Sequence, residues 1–92
     1  MPFEWFEDKR LHNIRERGID FVDVIPLFAS PDAVSFEDTR QDYGETRYIL
    51  LCAVRDLLFQ VAYTHRGENI RIISARRGNK RERRLYEQRK NH

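Results

Sequence analysis

Several common building blocks are scarce in this 92-residue sequence. It has one cysteine, Cys52, so no disulfide can form within the chain. Cys52 lies in the apolar run 49–54, which favours a buried thiol over a nucleophilic one. No apolar run approaches the roughly 18 residues that span a bilayer, and the opening Met-Pro-Phe-Glu-Trp has no signal-peptide pattern. These absences predict a single cytoplasmic domain over residues 1–92.

Ready-made catalytic and cofactor motifs are also missing. The three histidines, His12, His65 and His92, have no cysteine, histidine or carboxylate partner at the spacing of a metal site. The chain has no phosphate-binding loop, no dinucleotide-binding glycine motif and no serine nucleophile elbow. The sequence therefore predicts no bound metal and no cofactor.

Charge is abundant, but its two signs are separated along the chain. Residues 1–45 hold eleven Asp and Glu against five Lys and Arg, whereas residues 46–92 hold four against twelve. A basic half of this kind indicates an anionic partner, above all a nucleic acid. The alternative is that the acidic and basic halves neutralise each other within the fold.

Apolar periodicity predicts an α+β fold. The predicted elements, in chain order, are a short strand at 3–5, helices at 7–17 and 21–28, strands at 33–37, 46–54, 57–64 and 69–75, and a helix at 80–89. The links between the last three strands are too short for a crossover, so these strands are antiparallel neighbours. We therefore expect two N-terminal helices, a four-stranded antiparallel sheet and a basic C-terminal helix.

The two N-terminal helices have recognisable boundaries. Leu11 and Ile14, three residues apart, mark the expected inner stripe of the first helix, and Gly18 suits the left-handed residue that often ends a helix. Asp20 is the expected N-cap of the second helix. Pro26 would clash inside a regular helix, so we expect a kink or a tightened final turn there.

Arginine is the residue type left to carry chemistry. Guanidinium groups bind phosphate in a fork geometry and stabilise the charge that grows on its oxygens. In RNA the neighbouring 2′-hydroxyl already supplies a nucleophile, so a protein without a metal can cleave the chain by orienting groups and moving protons. Arg71 and Arg76 lie in the last strand and at its end. The alternative is that Arg71 is an ordinary structural arginine paired with a carboxylate.

Strand alternation predicts which side chains share a face. It places Arg71, Ile73 and Ala75 on one face of the last strand, and Ile70, Ile72 and Ser74 on the other. Arg47 begins the strand after the polar loop, and antiparallel pairing can bring such strand ends together. We predict that Arg47, Arg71 and Arg76 converge on one concave face as the site of the scissile phosphate.

His65 is the one histidine close to the basic strands, in the turn before Arg66. Histidine transfers protons efficiently near neutral pH, so His65 is a candidate general acid or base. The alternative is an ordinary surface histidine without a catalytic role.

A dense basic segment follows the last strand. Residues 76–90 contain eight Lys and Arg against two Glu. Such a cluster binds nucleic acid through the phosphates, without reading the sequence and with a strong dependence on salt. The alternative is a solvated helix face. We expect RNA contacts from Arg77, Lys80, Arg81, Arg83 and Arg84.

Several motifs, in the same order, resemble those of the BrnT family. The resemblance is carried by Phe3-Glu4-Trp5 with Lys9, Asn13, Gly18 and Phe21, by Gly44-Glu45-Thr46-Arg47-Tyr48, by the strand from Arg71 to Arg77, and by Glu82-Arg83 and Tyr86-Glu87. It extends over nearly the whole chain. Phe6 departs from the usual aspartate of the family, and Glu16-Arg17 replaces its common Lys-His, so a histidine base is absent at that place.

The resemblance implies a RelE-like α+β fold and the toxin of a type II toxin–antitoxin pair, an endoribonuclease that cuts mRNA or other cellular RNA and stops translation. It also implies a BrnA-type antitoxin that masks the toxin and binds operator DNA, so that the toxin meets DNA only through its partner. The alternative from another functional class is a non-catalytic RNA- or DNA-binding module, which the basic segment suits equally well.

The central strands predict a partner on the sheet. The strand 48–54 is apolar on both faces, and the strand 57–63 nearly so, with Gln60 as the main polar interruption. Two N-terminal helices can cover one face, and the C-terminal helix is almost wholly charged. We therefore expect apolar surface left for another chain, the antitoxin by resemblance or a second toxin copy. A twisted sheet closed by the loop at 38–45 would remove this need.

Overall fold

The computed structural model describes residues 2–91 as three α-helices, a short 3₁₀ helix and five strands. The elements are β1 (Phe3–Glu4), α1 (Glu7–Arg17), α2 (Phe21–Val24), the 3₁₀ helix (Ile25–Ala29), β2 (Val34–Asp38), β3 (Arg47–Val54), β4 (Leu57–Arg66), β5 (Asn69–Arg77) and α3 (Lys80–Lys90). The sheet order is β1-β5-β4-β3-β2, and only β1 runs parallel to its neighbour. No helix within these residues is long and apolar enough to cross a membrane.

The predicted α+β class is confirmed, and the sheet gains a strand. The four predicted antiparallel strands are present, and the short N-terminal strand adds a fifth, parallel to β5, so the sheet is mixed. The second predicted helix changes character at Val24, where α2 ends and the 3₁₀ helix continues. Pro26 stands near the start of that tighter helix, where its missing N–H removes no helical bond. The predicted tightening is therefore confirmed.

The N-terminal helices cover one side of the sheet, here called the first face. Its core consists of buried side chains from α2, the 3₁₀ helix and strands β3 to β5: Phe21, Val24, Leu27, Leu50, Cys52, Val61, Tyr63, Ile70, Ile72 and Ala75. Cys52 is 1% exposed, so its thiol is an interior group, as predicted.

Helix α3 covers one end of the opposite side, here called the second face. Leu85 and Tyr86 pack on apolar side chains of β3 and β4. Tyr86 is 1% exposed. Its hydroxyl donates to the Asp32 carbonyl at 2.8 Å and accepts from the Ala53 N–H at 3.3 Å. One buried tyrosine therefore anchors a helix that is otherwise charged.

The middle of strand β3 is buried on both sides, which corrects the expectation of open apolar surface along this strand. Leu50 and Cys52 lie beneath the N-terminal helices, while Ile49 and Leu51 lie beneath α3, and none is more than 4% exposed. A charged helix achieves this cover because one large tyrosine ring fills the centre of the contact. The large exposed apolar side chains lie outside this covered region, in or beside the N-terminal helices and at the turn between β3 and β4: Phe6, Leu11, Ile14, Val22, Val54 and Leu57.

Helix α1 docks through a polar side chain rather than through its predicted apolar stripe. Leu11 and Ile14 are 47% and 36% exposed, so their prediction as inner residues is wrong. Asn13 is buried instead: its Nδ2 donates to the carbonyls of Ile19 and Ala75 at 2.9 Å, and its Oδ1 accepts from the Ala75 N–H at 3.1 Å. Strand β1 stops short of Ala75, so the amide takes the place of a strand partner.

An irregularity in the pairing of β4 with β5 changes the alternation predicted for the last strand. One β4 residue pairs with Ile72 and the one before it with Ser74, which leaves Ile73 as the extra residue of a β-bulge. Beyond the bulge the side chains change sides, and Ala75 packs in the first-face core with Ile72. The predicted placement of Ala75 beside Arg71, and of Ser74 opposite it, is therefore wrong.

Replacing Asn13 with Ala should destabilise the protein, because the Ala75 N–H and C=O would be left without partners in the interior. Each such group costs about 1–3 kcal/mol, so we expect the free energy of unfolding in urea to fall by about 2–4 kcal/mol. His12→Ala, at an exposed neighbouring position of the same helix, is the matched control and should stay within about 0.5 kcal/mol of the wild type. An Asn13→Ala protein of wild-type stability would show that α1 does not depend on this contact.

Candidate active site

Three arginines share the part of the second face that α3 leaves open. Arg71 pairs across the ladder with Thr64 of β4, and Arg76 pairs with Gln60. Arg47 lies on the same side of β3 as the residues beneath α3, because alternate residues of a strand share a face. We call this surface, with its guanidiniums of Arg47, Arg71 and Arg76, the arginine face.

The bulge in β5 brings Arg71 and Arg76 to the same face. The two residues are five positions apart, and regular alternation would point them to opposite faces. The extra residue Ile73 reverses the alternation between them. Their common orientation thus depends on how β5 pairs with β4.

Arg76 is held by a carboxylate at the start of α3. Its Nη1 and Nη2 donate to the two oxygens of Glu82 at 2.9 and 2.8 Å. Glu82 also accepts from the Asn79 N–H at 2.9 Å, and the Asn79 side chain accepts from the Glu82 N–H at 2.8 Å, which completes a capping box. Burial opposes ionisation of Glu82, but the hydrogen bonds from Arg76 and Asn79 outweigh it and lower its pKa.

Arg71 is held by the N-terminal segment. Its Nε donates to Glu4 at 2.7 Å, and its guanidinium carbon lies 4.5 Å from the centre of the Phe6 ring. Hydrogen bonds from the Asn69 amide and from Arg71 lower the pKa of Glu4 below its usual value. The carboxylate pairing raised as the alternative for Arg71 is therefore present in the structure.

Arg47 is held by the loop that precedes β3. Its Nε donates to Glu45 at 3.2 Å, and its guanidinium carbon lies 4.3 Å from the centre of the Tyr43 ring. Glu45 also pairs with Arg66 at 3.4 Å. Each arginine of the arginine face is thus held by a carboxylate from a different part of the chain.

A second charged cluster, which the sequence did not predict, borders the arginine face at the end of β2. Asp38 is 8% exposed and accepts from Arg40 Nε and Nη2 at 2.8 Å and from the Tyr43 hydroxyl at 2.9 Å. The hydrogen bonds from Arg40 hold the pKa of Asp38 far below its usual range in spite of burial. Asp38 pairs with Arg47 across the ladder, so this cluster closes one side of the face.

His65 lies on the other side of the sheet from the arginine face. Its exposed ring meets Tyr48 and Tyr63 edge-on at the margin of the first face, with ring centres 5.3 and 5.8 Å apart. The structure therefore does not bring His65 together with the three arginines. Among residues 2–91, no group of three His, Cys, Asp or Glu side chains is arranged to hold a metal ion.

The residues predicted to bind RNA fall into two groups. Lys80, Arg81 and Arg84 are exposed on α3 and form no ion pair within the part of the chain that the structure describes. Arg83 instead donates to a backbone carbonyl of the β3–β4 turn at 3.0 Å, which ties α3 to that turn. Arg77 pairs with a first-face residue of β4, so it lies on the first-face side of β5.

Ion pairs also join the acidic half of the chain to the basic half. They include Glu4 with Arg71, Glu45 with Arg47 and Arg66, and Asp32 with Lys90. The alternative that the two halves neutralise each other is therefore realised in part. The exposed cations of α3 that form no ion pair within residues 2–91 are among the charges available to an outside partner.

Residues 5–82 match a family model described as the ribonuclease toxin, BrnT, of a type II toxin–antitoxin system. The chain belongs to this family. The match takes in Arg47, Arg71 and Arg76 and every strand from β2 to β5. It confirms the resemblance carried by the motifs and makes the protein a ribonuclease toxin with an antitoxin partner. A search of curated proteins finds no match.

Two features of this BrnT-family toxin were not among the predicted site residues. Gln60 stands between Arg76 and the core of the second face, and Glu82 holds the Arg76 guanidinium. Each had a visible signal in the sequence, because Gln60 interrupts an apolar strand and Glu82 occupies the capping-box position. Neither signal shows that the two residues meet at one arginine.

The charge of Glu82 should stabilise this BrnT-family toxin only while it is ionised. Its pKa is lowered in the folded state, so its contribution is present near neutral pH and is lost as the pH falls below the unfolded value of 4.5. Glu82→Gln removes the charge and keeps an acceptor. It should therefore lower the free energy of unfolding near neutral pH, and this deficit should be smaller at about pH 3.

Urea unfolding at the two pH values measures this difference. Glu87→Gln, an exposed position of the same helix, is the matched control and should change little at either pH. A Glu82→Gln deficit of equal size at both pH values would contradict the role given to the Glu82 charge.

Proposed function

We propose that this toxin is a metal-independent endoribonuclease that cuts mRNA or another cellular RNA on its arginine face and thereby stops translation. The observation that carries the proposal is the position of Arg47, Arg71 and Arg76 on one face of the sheet, beside a pocket that Arg76 borders. Guanidiniums in such an arrangement bind RNA phosphates and stabilise charge in the transition state.

Cleavage in this scheme uses the nucleophile of the substrate. The 2′-oxygen attacks the adjacent phosphorus as its proton leaves, the bond from phosphorus to the 5′-oxygen breaks, and that oxygen takes up a proton. A guanidinium stabilises the negative charge on the non-bridging oxygens during this step. Arginine itself stays protonated. The carboxylates paired with the arginines, rather than His65 on the other face, are the groups placed to accept the proton.

The spacing of the arginines favours contacts with successive phosphates of one RNA strand. Arg47 and Arg71 are two strands apart, about 10 Å between backbones, and Arg76 lies farther along β5, roughly 15 Å from Arg71. Arg76 borders the pocket, where a nucleotide has room to sit. We therefore assign the scissile phosphate to Arg76 and the neighbouring phosphates to Arg47 and Arg71.

Finer family features complete the proposal. The α+β architecture supports a RelE-like fold for a single cytoplasmic domain. A BrnA-type antitoxin would mask the arginine face, and the toxin would reach operator DNA only through that partner. The exposed apolar side chains Leu11, Ile14, Val54 and Leu57 are candidate contacts for the antitoxin, with a toxin homodimer as the alternative.

Arg76→Ala should remove most RNA cleavage and relieve growth arrest on induced expression. Loss of one preorganised donor to a transition state lowers rates by about 100- to 1,000-fold. Arg76→Lys keeps the charge but loses the planar fork, so it should recover only a small part of the rate. Cleavage of an end-labelled RNA in the presence of EDTA measures the effect, and the wild type should remain active there.

Arg15→Ala, which removes an exposed arginine of α1, is the matched control and should cleave at the wild-type rate. Circular dichroism confirms that each variant is folded. Undiminished cleavage by folded Arg76→Ala would exclude Arg76 from the active site, and loss of wild-type cleavage in EDTA would exclude the metal-independent scheme.

Lys80 and Arg84 should supply affinity rather than chemistry. Replacing both with Gln should weaken binding of a 2′-deoxy analogue, which cannot be cleaved, because two cations on α3 are removed. The slope of log affinity against log salt should fall by roughly 0.7 for each phosphate that the variant no longer binds. Replacing Arg15 and Arg17 of α1 with Gln makes the same charge change elsewhere and should leave the slope unaltered. An unchanged slope in the α3 variant would show that these side chains do not touch phosphate.

A further inference from the structure

Gln60 is a buried polar side chain whose amide has no hydrogen-bond partner in the described part of the chain. It lies in the middle of β4 and is 4% exposed. No side-chain hydrogen bond joins its amide to another residue within 2–91. In that part of the chain, no side-chain nitrogen or oxygen is both fully buried and without a partner, so the amide atoms of Gln60 are not fully enclosed. The amide therefore opens into a cavity. An amide that faces a cavity and makes no hydrogen bond within the described residues can bond to whatever occupies that cavity, so this position points to a ligand.

The cavity is the pocket of about 390 Å³ beside Arg76, between β2, β4 and α3. Its apolar lining comes from Phe36, Ile49 and Leu85. Gln60 adds an uncharged amide side chain from strand β4. The volume is at the lower end of the range for small-ligand pockets, about 300–1,000 Å³. It suits one nucleoside better than a larger ligand.

The rim of this pocket is cationic. Arg40, Arg76, Arg81 and Arg89 line it, and Arg40 and Arg76 pair with the acidic Asp38 and Glu82. Glu37 is the third acidic residue of the lining, so four arginines against three carboxylates leave a formal charge of +1. An apolar interior with the Gln60 amide and a rim of net positive charge matches a nucleotide, whose base is planar and whose phosphates are anionic.

A stacking surface is present at the same place. The guanidinium carbon of Arg89 lies 4.8 Å from the centre of the Phe36 ring. Aromatic rings and guanidinium planes are the surfaces on which proteins stack unpaired RNA bases. The pair therefore offers a base a flat contact, while Gln60 offers its edge hydrogen bonds.

We infer that Gln60 is a specificity-determining residue that reads the edge of one RNA base next to the cleaved bond. The inference rests on the proposed function, which places the scissile phosphate at Arg76. Gln60 and Arg76 are direct neighbours in the β4–β5 ladder, so a nucleotide whose phosphate meets Arg76 can place its base in the pocket. The glutamine amide offers two donors and one acceptor, so it matches some base edges and leaves others unpaired.

The four nucleoside 3′-monophosphates are the probes, and they are titrated into the full chain while its NMR spectrum is recorded. We expect one of them to bind about ten-fold more tightly than the others or better, with shifts at the Gln60 side-chain amide and the Phe36 ring. Gln60→Leu keeps the approximate volume but loses the amide, so it should bind the four about equally. Gln88→Leu makes the same change at an exposed position of α3 and should behave as the wild type.

Cleavage of short RNAs that differ in one base gives a second readout. The wild type should prefer the base that binds most tightly, and Gln60→Leu should cut with that preference reduced about ten-fold or more. Where Gln60→Leu fails to fold, Gln60→Glu serves instead, because it replaces the donors by acceptors and should change which base is preferred.

Equal binding of the four nucleotides, shifts outside the pocket, or a preference that survives the Gln60 substitutions would overturn the inference. Selective binding at Gln60 without RNA cleavage would keep the base pocket and reject the nuclease scheme. Cleavage that requires Arg76 but shows no base preference would keep the nuclease scheme and reject the base pocket. A pocket that responds to the antitoxin and to no nucleotide would assign Gln60 to the protein partner and overturn the inference.

Discussion

The pairing of β5 with its neighbours is the constraint on which the rest of the structure depends. On one side, the bulge at Ile73 reverses the strand's alternation and turns Arg76 to the face of Arg71. On the other side, Asn13 bonds the backbone of Ala75 where β1 has stopped, and so fixes α1 to the sheet. One strand therefore carries part of the first-face core, two of the three arginines and the connection into α3.

The arginine face is preorganised by carboxylates rather than by apolar packing. Glu4 comes from β1, Glu45 from the loop before β3 and Glu82 from α3, so three separate elements must be in place before the guanidiniums are held. A guanidinium that is already oriented loses less conformational entropy when it binds a ligand. Each has more N–H groups than its carboxylate uses, so an RNA phosphate can bind without first breaking every ion pair. The same pairs use three arginines of the basic half, while Lys80, Arg81 and Arg84 on α3 form no ion pair within the described residues.

Local signals in the sequence predict the elements well because their causes are local. Gly18 ends α1 with a φ of 70°, and Asp20 caps α2 by accepting from a backbone N–H two residues on, as its side chain suggests. The hairpin strands follow from short links and apolar runs. The inner side of α1 could not be predicted, because Leu11 and Ile14 form a regular stripe, whereas docking depends on one amide that meets a strand more than 60 residues away.

By itself the sequence determined the α+β class, the strand and helix order, the basic character of the C-terminal half and, through its motifs, membership of a ribonuclease toxin family. Only the tertiary structure decided that Arg71 and Arg76 share a face, that His65 lies on the opposite one, and that Gln60 opens into a pocket. The reason is physical: alternation and capping act over a few residues, whereas the side of a sheet on which a residue lies depends on the register between strands. One extra residue in β5 is enough to reverse it.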